Sequence, residues 1–214
     1  MAKKHGAVAV LLGHTKDDQA ETVLLGLARG SGARSLSGMA SVNGIYIRPF
    51  LEISRKETEE ACQELGLQPW QDPHNDDLKF KRVRVRKNVL PILERELGPG
   101  ISDALTRSAQ LLRDDADALE QLARAFWEQD QSLEINSLLK LSKAVRTRVL
   151  RIALLQAIKD SSVNAGENKG SAQLSSEQVG QVEALVSNWK GQGEVSLPAG
   201  VKVSRISGRL TLSI

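Results

Sequence analysis

Residues 12–22 read Leu12-Gly-His-Thr-Lys-Asp-Asp-Gln-Ala-Glu-Thr22. Ahead of them, Ala7 to Leu12 is a continuous apolar run, the pattern of a strand buried on both faces of a parallel sheet. Behind them Ala20, Val23, Leu24, Leu27 and Ala28 recur at helical spacing, which predicts a helix beginning near Thr15. The polar stretch therefore lies where a strand ends and a helix starts. That is the edge at which open α/β sheets bind ligands. The fold class is α/β.

The acids of this turn are spaced with consequence. Thr15 reads as an N-cap, and Asp18 three residues on completes an acidic capping box. Asp17 and Glu21 stand i,i+4 and Asp18 and Glu21 i,i+3, so all three lie within one turn. Like charges that close repel unless a cation sits among them, either Mg²⁺ or an ammonium group. The other reading is that acids favour a helix N-terminus because the dipole stabilises them there. With His14 and Gln19 beside the trio at a strand end, the site reading is preferred.

Composition sets outer bounds. At 214 residues the chain can bury one good core or two small ones, and a net charge of +3 says little about partners. Aromatics at 3% argue against extensive base-stacking platforms. A single cysteine, Cys62, excludes an internal disulfide framework and fits a reducing cytoplasm. No run approaches the length of a membrane span, and Met1-Ala-Lys-Lys-His5 has no signal-peptide pattern after it. A cytoplasmic protein with no membrane partner is expected.

Farther along, Ile45 to Ile47 supplies a second short strand, and Pro49 holds Arg48 extended at its ligand-side end. Two strands make no stable parallel sheet alone. Arg29-Gly-Ser-Gly-Ala-Arg34 is either a phosphate-holding loop or a flexible connection. Leu36 to Asn43 continues as loop. Ser54 and Glu57 form a capping box for a helix to about Leu65, with Gly66 as its stop. Arg55 in that first turn opposes the helix dipole, a cost that a bound anion would offset, unless it only snorkels over the surface. The loop from Trp70 to Asp77 is acidic and turn-rich, and His74 has no second His or Cys at ligand spacing, so no zinc site is expected.

Lys79 to Lys87 carries six basic residues in nine without an acid, a patch for phosphates of a nucleotide or of RNA. A short helix from Asn88 to Leu97 stops at Gly98-Pro-Gly100, the expected domain boundary between residues 1–98 and 99–214. Ser102 then caps a long helix, and a second helix spans about Ile135 to Lys159. Its polar face carries Lys140, Lys143, Arg146, Arg148 and Arg151, either an RNA-backbone contact or a solvated face. Residues 160–174 are rich in Ser, Gly, Asn and Lys and are expected to be disordered. Ser175 and Gln178 cap a third helix to about Trp189, and residues 195–214 alternate around two turns as a small antiparallel meander.

Gly13 to Thr22 resembles the second signature of the tRNA(Ile)-lysidine synthetases, members of the PP-loop ATP-pyrophosphatase group. The resemblance continues through Leu27-Ala-Arg-Gly-Ser-Gly32, Leu36-Ser-Gly-Met39, Arg48-Pro-Phe-Leu51, Asp72-Pro-His-Asn75, Phe80-Lys-Arg-Val-Arg-Val-Arg86 and Pro91-Ile-Leu93, about the first half of the chain. It implies part of a parallel-sheet PP-loop (adenine-nucleotide α-hydrolase-like) domain, followed by a mainly helical tRNA-binding domain ending in the meander. The family's ATP loop, Ser-Gly-Gly-x-Asp-Ser, is not in the sequence, nor is a Walker-type loop. The family's layout places that loop ahead of this region, so an N-terminally incomplete nucleotide-binding domain is expected, and autonomous ATP chemistry is in doubt. Val83 stands where the family usually has Asn.

The resemblance also implies the chemistry. Such an enzyme joins L-lysine to C2 of the wobble cytidine in a tRNA(Ile) with a CAU anticodon. ATP first adenylates the C2 oxygen, and the lysine amine then displaces AMP. By the same resemblance Asp17, Asp18 and Glu21 hold the lysine ammonium and Mg²⁺, with Asp18 as the metal ligand, and His14 lies near phosphate. Gly13, Arg48 and Arg84 are expected at the ATP, and Arg29, Arg82, Arg86 and Lys87 at tRNA and phosphates. A tRNA thiolase would share the Asp-Asp-Gln turn, although one cysteine argues against it. A truncated, non-catalytic tRNA-binding module is the other alternative, and a homodimer is left open.

Overall fold

In the computed structural model, which describes residues 2–30, 32–164 and 174–213, the apolar run before the polar turn forms β1 (Val10–Leu11). β1 pairs in parallel with β3 (Tyr46–Ile47), Val10 opposite Tyr46. β3 in turn pairs antiparallel with β2 (Val42–Asn43), in a segment expected to be loop. The expected burial of this run on both faces is not found. Val8 is 92% and Leu11 69% exposed. A strand is enclosed on both faces only inside a sheet that continues past it, and among the described residues β1 is paired along one edge only.

The helices of the first unit, residues 1–116, start where local chemistry places them. Helix α1 (Lys16–Leu27) is closed by Asp18, whose Oδ2 accepts the backbone N–H of Thr15 at 2.8 Å and its hydroxyl at 3.0 Å. A short α2 (Ala33–Leu36) follows. Helix α3 (Arg55–Glu64) carries the Ser54/Glu57 capping box and ends at Gly66, whose φ of +66° suits glycine. The basic run folds as α4 (Lys81–Arg84), a π-turn over Val85–Val89 and α5 (Leu90–Leu97). Pro91 has no N–H for the carbonyl of Lys87, and its ring crowds that turn, so one wider turn is the outcome.

Helix α6 (Ile101–Gln129) is capped from outside. The Glu94 carboxylate accepts from the backbone N–H groups of Gly100, Ile101 and Ser102 and from the Ser102 hydroxyl, at 2.6 to 3.2 Å. Ser102, the expected cap, is thus a donor inside the helix. The Ser102 backbone bond, with those of Ile101 and Gly100, holds the Glu94 carboxyl below its usual range. The Gly98-Pro-Gly100 turn separates α5 from α6, while the two units divide later, between Ala116 and Asp117. The early part of α6 packs with the first unit. Leu105 lies against the cluster of Ala20, Val85 and Leu90, and Arg113 donates to the carbonyls of Ser37 and Gly38.

The second unit, residues 117–214, holds the larger core. The helix expected over 135–159 is two, α7 (Ile135–Leu139) and α8 (Lys143–Asn164). At the break Arg146 Nη1 donates to the carbonyl of Leu141, which lies between the two helices. The helix runs on through residues 160–164, so the expected disorder does not begin at Asp160, and residues 165–173 lie outside the described residues. Helix α9 (Ser176–Ser187), capped by Ser175 and Gln178, packs Val182 and Leu185 onto Leu138, Val149, Leu150 and Leu154. Strands β4 (Val195–Ser196), β5 (Lys202–Ile206) and β6 (Arg209–Ser213) close this core as the expected antiparallel meander. Each fully buried Leu contributes about 1.5–3 kcal/mol by removal from water. No helix among the described residues is long and apolar enough to cross a membrane.

Candidate functional site

Two helix N-termini meet at the end of the parallel strand pair. The backbone N–H of Lys16, at the start of α1, donates to the carbonyl of Ile53 at 2.9 Å, and that of Arg55, at the start of α3, donates to Asp17 Oδ2 at 2.7 Å. Asp17 therefore ties α3 to α1. Arg48 leaves β3 on the same side. Its backbone N–H donates to Ser41 and its Nη1 to the carbonyl of Ala40 at 2.9 Å.

Asp18 and Glu21 have their cations, and they are guanidiniums. Arg86 Nε lies 2.5 Å from Glu21 Oε1 and its Nη2 3.2 Å from Glu21 Oε2, a two-pronged contact, with the same Nη2 3.3 Å from Asp18 Oδ1. Arg82 Nε stands 3.7 Å from Glu21 Oε2, and its Nη2 donates to the Thr22 hydroxyl at 2.8 Å. Arg55 Nη2 is 3.8 Å from Asp18 Oδ1. Glu21 is fully buried. Burial raises the Glu21 carboxyl above its ordinary 4.5, opposed in part by the hydrogen bond and charge of Arg86. Burial pulls Arg86 the other way, and its contact with Glu21 more than restores it, so Arg86 stays charged. The network is a rigid, charge-balanced scaffold under the strand edge.

Gln19 extends this scaffold to the following loop. Its Nε2 donates to the carbonyl of Met39 at 2.8 Å, and its Oε1 accepts the Met39 N–H at 2.6 Å. Gly38 makes that approach sterically possible. It sits at φ +64°, and a Cβ there would lie 2.4 Å from Gln19 Oε1. Gly38→Ala is therefore expected to cost about 1–3 kcal/mol, from the strained φ and the lost clamp. Gly13→Ala, where a Cβ meets nothing within 4 Å, is expected to be near neutral. Urea unfolding of the two variants checks the difference.

The structure draws together Asp17, Asp18, Glu21, Arg82 and Arg86, residues separated by up to 69 positions in sequence. Arg84 and Lys87 are turned elsewhere. Arg84 donates to the carbonyls of Leu78 and Lys79, and Lys87 pairs with Asp76. Arg29 is exposed past the end of α1, and Gly13 faces open space. Arg55 joins the cluster, and its unfavourable place in a helix first turn was the sequence signal for it. Gln19 was read beside the trio, but its clamp on Met39 over Gly38, like the contact of Arg113 with Ser37 and Gly38, carried no signal that spacing could resolve, because the partners lie 19 or more residues apart.

A protein-held Mg²⁺ at Asp18 does not fit these contacts. Asp18 Oδ2 is taken by Thr15 and Oδ1 faces two guanidiniums, and no group of three or more His, Cys, Asp or Glu residues among the described residues could hold a metal. An anion does fit. The Nε atoms of Arg48 and Arg55 and Nδ1 of His14 are buried without a partner. Buried guanidinium N–H groups that find no acceptor are costly, and an anionic ligand at the strand edge would complete them.

Comparison with known proteins gives the relatives of this arrangement. Residues 1–93 match the PP-loop domain family model and residues 133–211 the TilS substrate binding domain model. The chain is 48% identical to a tRNA(Ile)-lysidine synthase of Thermobifida fusca, over 99% of this chain and 64% of the relative. It is 48% identical to one of Streptomyces coelicolor, over 99% of this chain and 59% of the relative. For one of Mycobacterium tuberculosis the identity is 43%, over 97% of this chain and 63% of the relative. The chain thus spans about three-fifths of the length of the curated relatives it matches.

Proposed function

We propose that this chain, which by its two matched domains and its identity to curated relatives belongs to the tRNA(Ile)-lysidine synthase family, serves the ATP-dependent joining of L-lysine to C2 of the wobble cytidine in a tRNA(Ile) with a CAU anticodon. The observation that carries this reading is the set of orphaned buried nitrogens on His14, Arg48 and Arg55 beside acids already neutralised by arginines. Phosphates of ATP match that need for acceptors. ATP supplies the activation, which turns the C2 oxygen of the base into a leaving group.

The chain's own residues then have separate tasks. Arg48, Arg55 and His14 hold the anion at the strand edge. Asp17, half-buried where Asp18 and Glu21 are buried, is the carboxylate placed to meet the lysine ammonium. Arg82 and Arg86 keep Asp18 and Glu21 fixed, so that no carboxylate must reorganise when charge moves. Exposed cations of the same unit, Arg29 and Lys81 among them, face the RNA backbone. The wobble base must leave its stack to reach such an edge, which a single-stranded anticodon loop permits.

A second reading is tRNA holding without ligation, favoured by the exposed cations Arg29 and Lys81 of the first unit. Incorporation of labelled lysine into a CAU-anticodon tRNA, with ATP and beside a salt series of tRNA binding, separates the two. Incorporation is expected to fall about 100-fold or more in Asp18→Asn, which keeps a capping oxygen but removes the charge facing Arg86. Salt-sensitive binding without incorporation would select the second reading. Neither binding nor incorporation would sink both.

A further inference from the structure

The loop of residues 37–41, between α2 and β2, is held by side chains from other elements. Each of its successive carbonyls accepts a hydrogen bond. Arg113, on α6, donates from Nη2 to Ser37 at 2.5 Å and to Gly38 at 3.0 Å. Gln19 Nε2 donates to Met39 at 2.8 Å, and Arg48 Nη1 to Ala40 at 2.9 Å. The carbonyl of Ser41 takes the backbone N–H of Arg48 at 2.8 Å. Residues 38–41 are half-buried or exposed, so water could satisfy most of these carbonyls. Fixing two long arginine side chains on them instead costs rotamer freedom.

The consequence of this order falls on Arg48. Its main chain is tied to Ser41 and its guanidinium tip to Ala40, adjacent residues of the one loop. A guanidinium is planar, with its N–H donors in fixed directions, so these two ties leave Nε little freedom. That Nε is buried without a partner. The Ala40 carbonyl is steadied in turn from behind, by Gln19 at Met39 and by Arg113 at Gly38 and Ser37. Helix α6 presents Arg113 from a fixed base. Asp103 in its first turn pairs with Lys16 at 2.8 Å, and Leu105 packs on Ala20, Val85 and Leu90.

We propose that Arg113 is a positioning residue for the ATP-dependent reaction, acting through residues 37–41 to hold the Arg48 guanidinium where its Nε meets the anion. This inference rests on the function proposed above, which supplies the anion. Without Arg113 the carbonyls of Ser37 and Gly38 turn to water, and the loop relaxes about Gly38. Ala40 then no longer holds Arg48 to one orientation. The anion must order that side chain as it binds, and its affinity falls.

The test is a double-mutant cycle read by isothermal titration calorimetry of ATP into the full chain. Arg48→Lys keeps the charge but lacks Nε, and is expected to weaken ATP binding about 10-fold. Arg113→Met is expected to weaken it about 5-fold beside the native Arg48. In the Arg48→Lys background the same change is expected to cost less than about 2-fold. Arg107→Met removes an exposed cation from the same helix and is expected to shift the affinity by less than about 2-fold. Urea midpoints measured alongside separate stability from affinity. A purely structural Arg113 would lower the midpoint and leave ATP binding by the folded chain intact. Should Arg113→Met fold poorly, Arg113→Gln is expected to show the same dependence on Arg48. Equal losses in both backgrounds, or no loss in a chain that Arg48→Lys weakens, would overturn the positioning role alone. ATP bound equally well by Arg48→Lys would overturn it through Arg48. No ATP binding by the unaltered chain would overturn it together with the function on which it rests.

Discussion

Arg86→Met is expected to destabilise the first unit by roughly 3 kcal/mol near neutral pH, because it strands a buried carboxylate. Glu21 has no exposed surface, and its two-pronged partner would be gone. Arg82, 3.7 Å away, remains and keeps the loss at the lower end of the range for broken buried pairs. The sign of the pH dependence follows from Glu21. Its carboxyl is raised by burial in the folded chain, and without Arg86 nothing but Arg82 opposes that rise. The folded variant therefore binds a proton more readily than the unfolded chain does. Its stability is fully present below the ordinary 4.5 and is lost as pH climbs through the raised folded value. Urea midpoints across pH 4.5 to 8 should show the variant closest to the unaltered protein at the acid end. Arg86→Met combined with Glu21→Leu is expected to recover most of the loss, since replacing both members removes the stranded charge. A midpoint shift independent of pH would contradict this account.

Arg146→Met is expected to cost about 3–5 kcal/mol in the second unit. Arg146 is 7% and Glu183 6% exposed, with Nη2 2.6 Å and Nε 3.0 Å from the same Glu183 oxygen. The other Glu183 oxygen accepts the Ser187 hydroxyl at 3.1 Å. Loss of the guanidinium leaves Glu183 facing a core of Leu138, Val182 and Leu185, and releases the Leu141 carbonyl that Arg146 satisfies at the α7–α8 break. Arg148→Met, a neighbour of the same type on the exposed side, is expected to stay within about 0.5 kcal/mol of the unaltered chain. Thermal unfolding of the two variants tests the contrast. Equal melting temperatures would mean that Arg146 is as solvated as its neighbours.

The two arginines mark where sequence reading succeeds and stops. The acidic trio, the turn that holds it and the basic run were each legible, because an i,i+4 spacing puts side chains on one face whatever surrounds the helix. That the run supplies the cations of Asp18 and Glu21 was not legible, because 65 residues separate Glu21 from Arg86. An expected Mg²⁺ or ammonium thus became two guanidiniums of the same chain, with a third from Arg55. The same limit applies on α8. Helical spacing put Arg146 among four other cations, and only the position of α9 decides that this one is buried against Glu183.

By itself the sequence determined the helix starts at Thr15, Ser54 and Ser175, the stop at Gly66 and the turns of the meander. These follow from hydrogen bonds and φ preferences satisfied within three or four residues, which need no tertiary partner. Tertiary structure alone decided the exposure of β1, the capping of α6 by Glu94, the break between α7 and α8, and the pairing of every buried charge. In each of these a polar or apolar group is satisfied by whatever the folded chain brings beside it. Burial sets the cost of leaving it unsatisfied, and burial belongs to the packed structure.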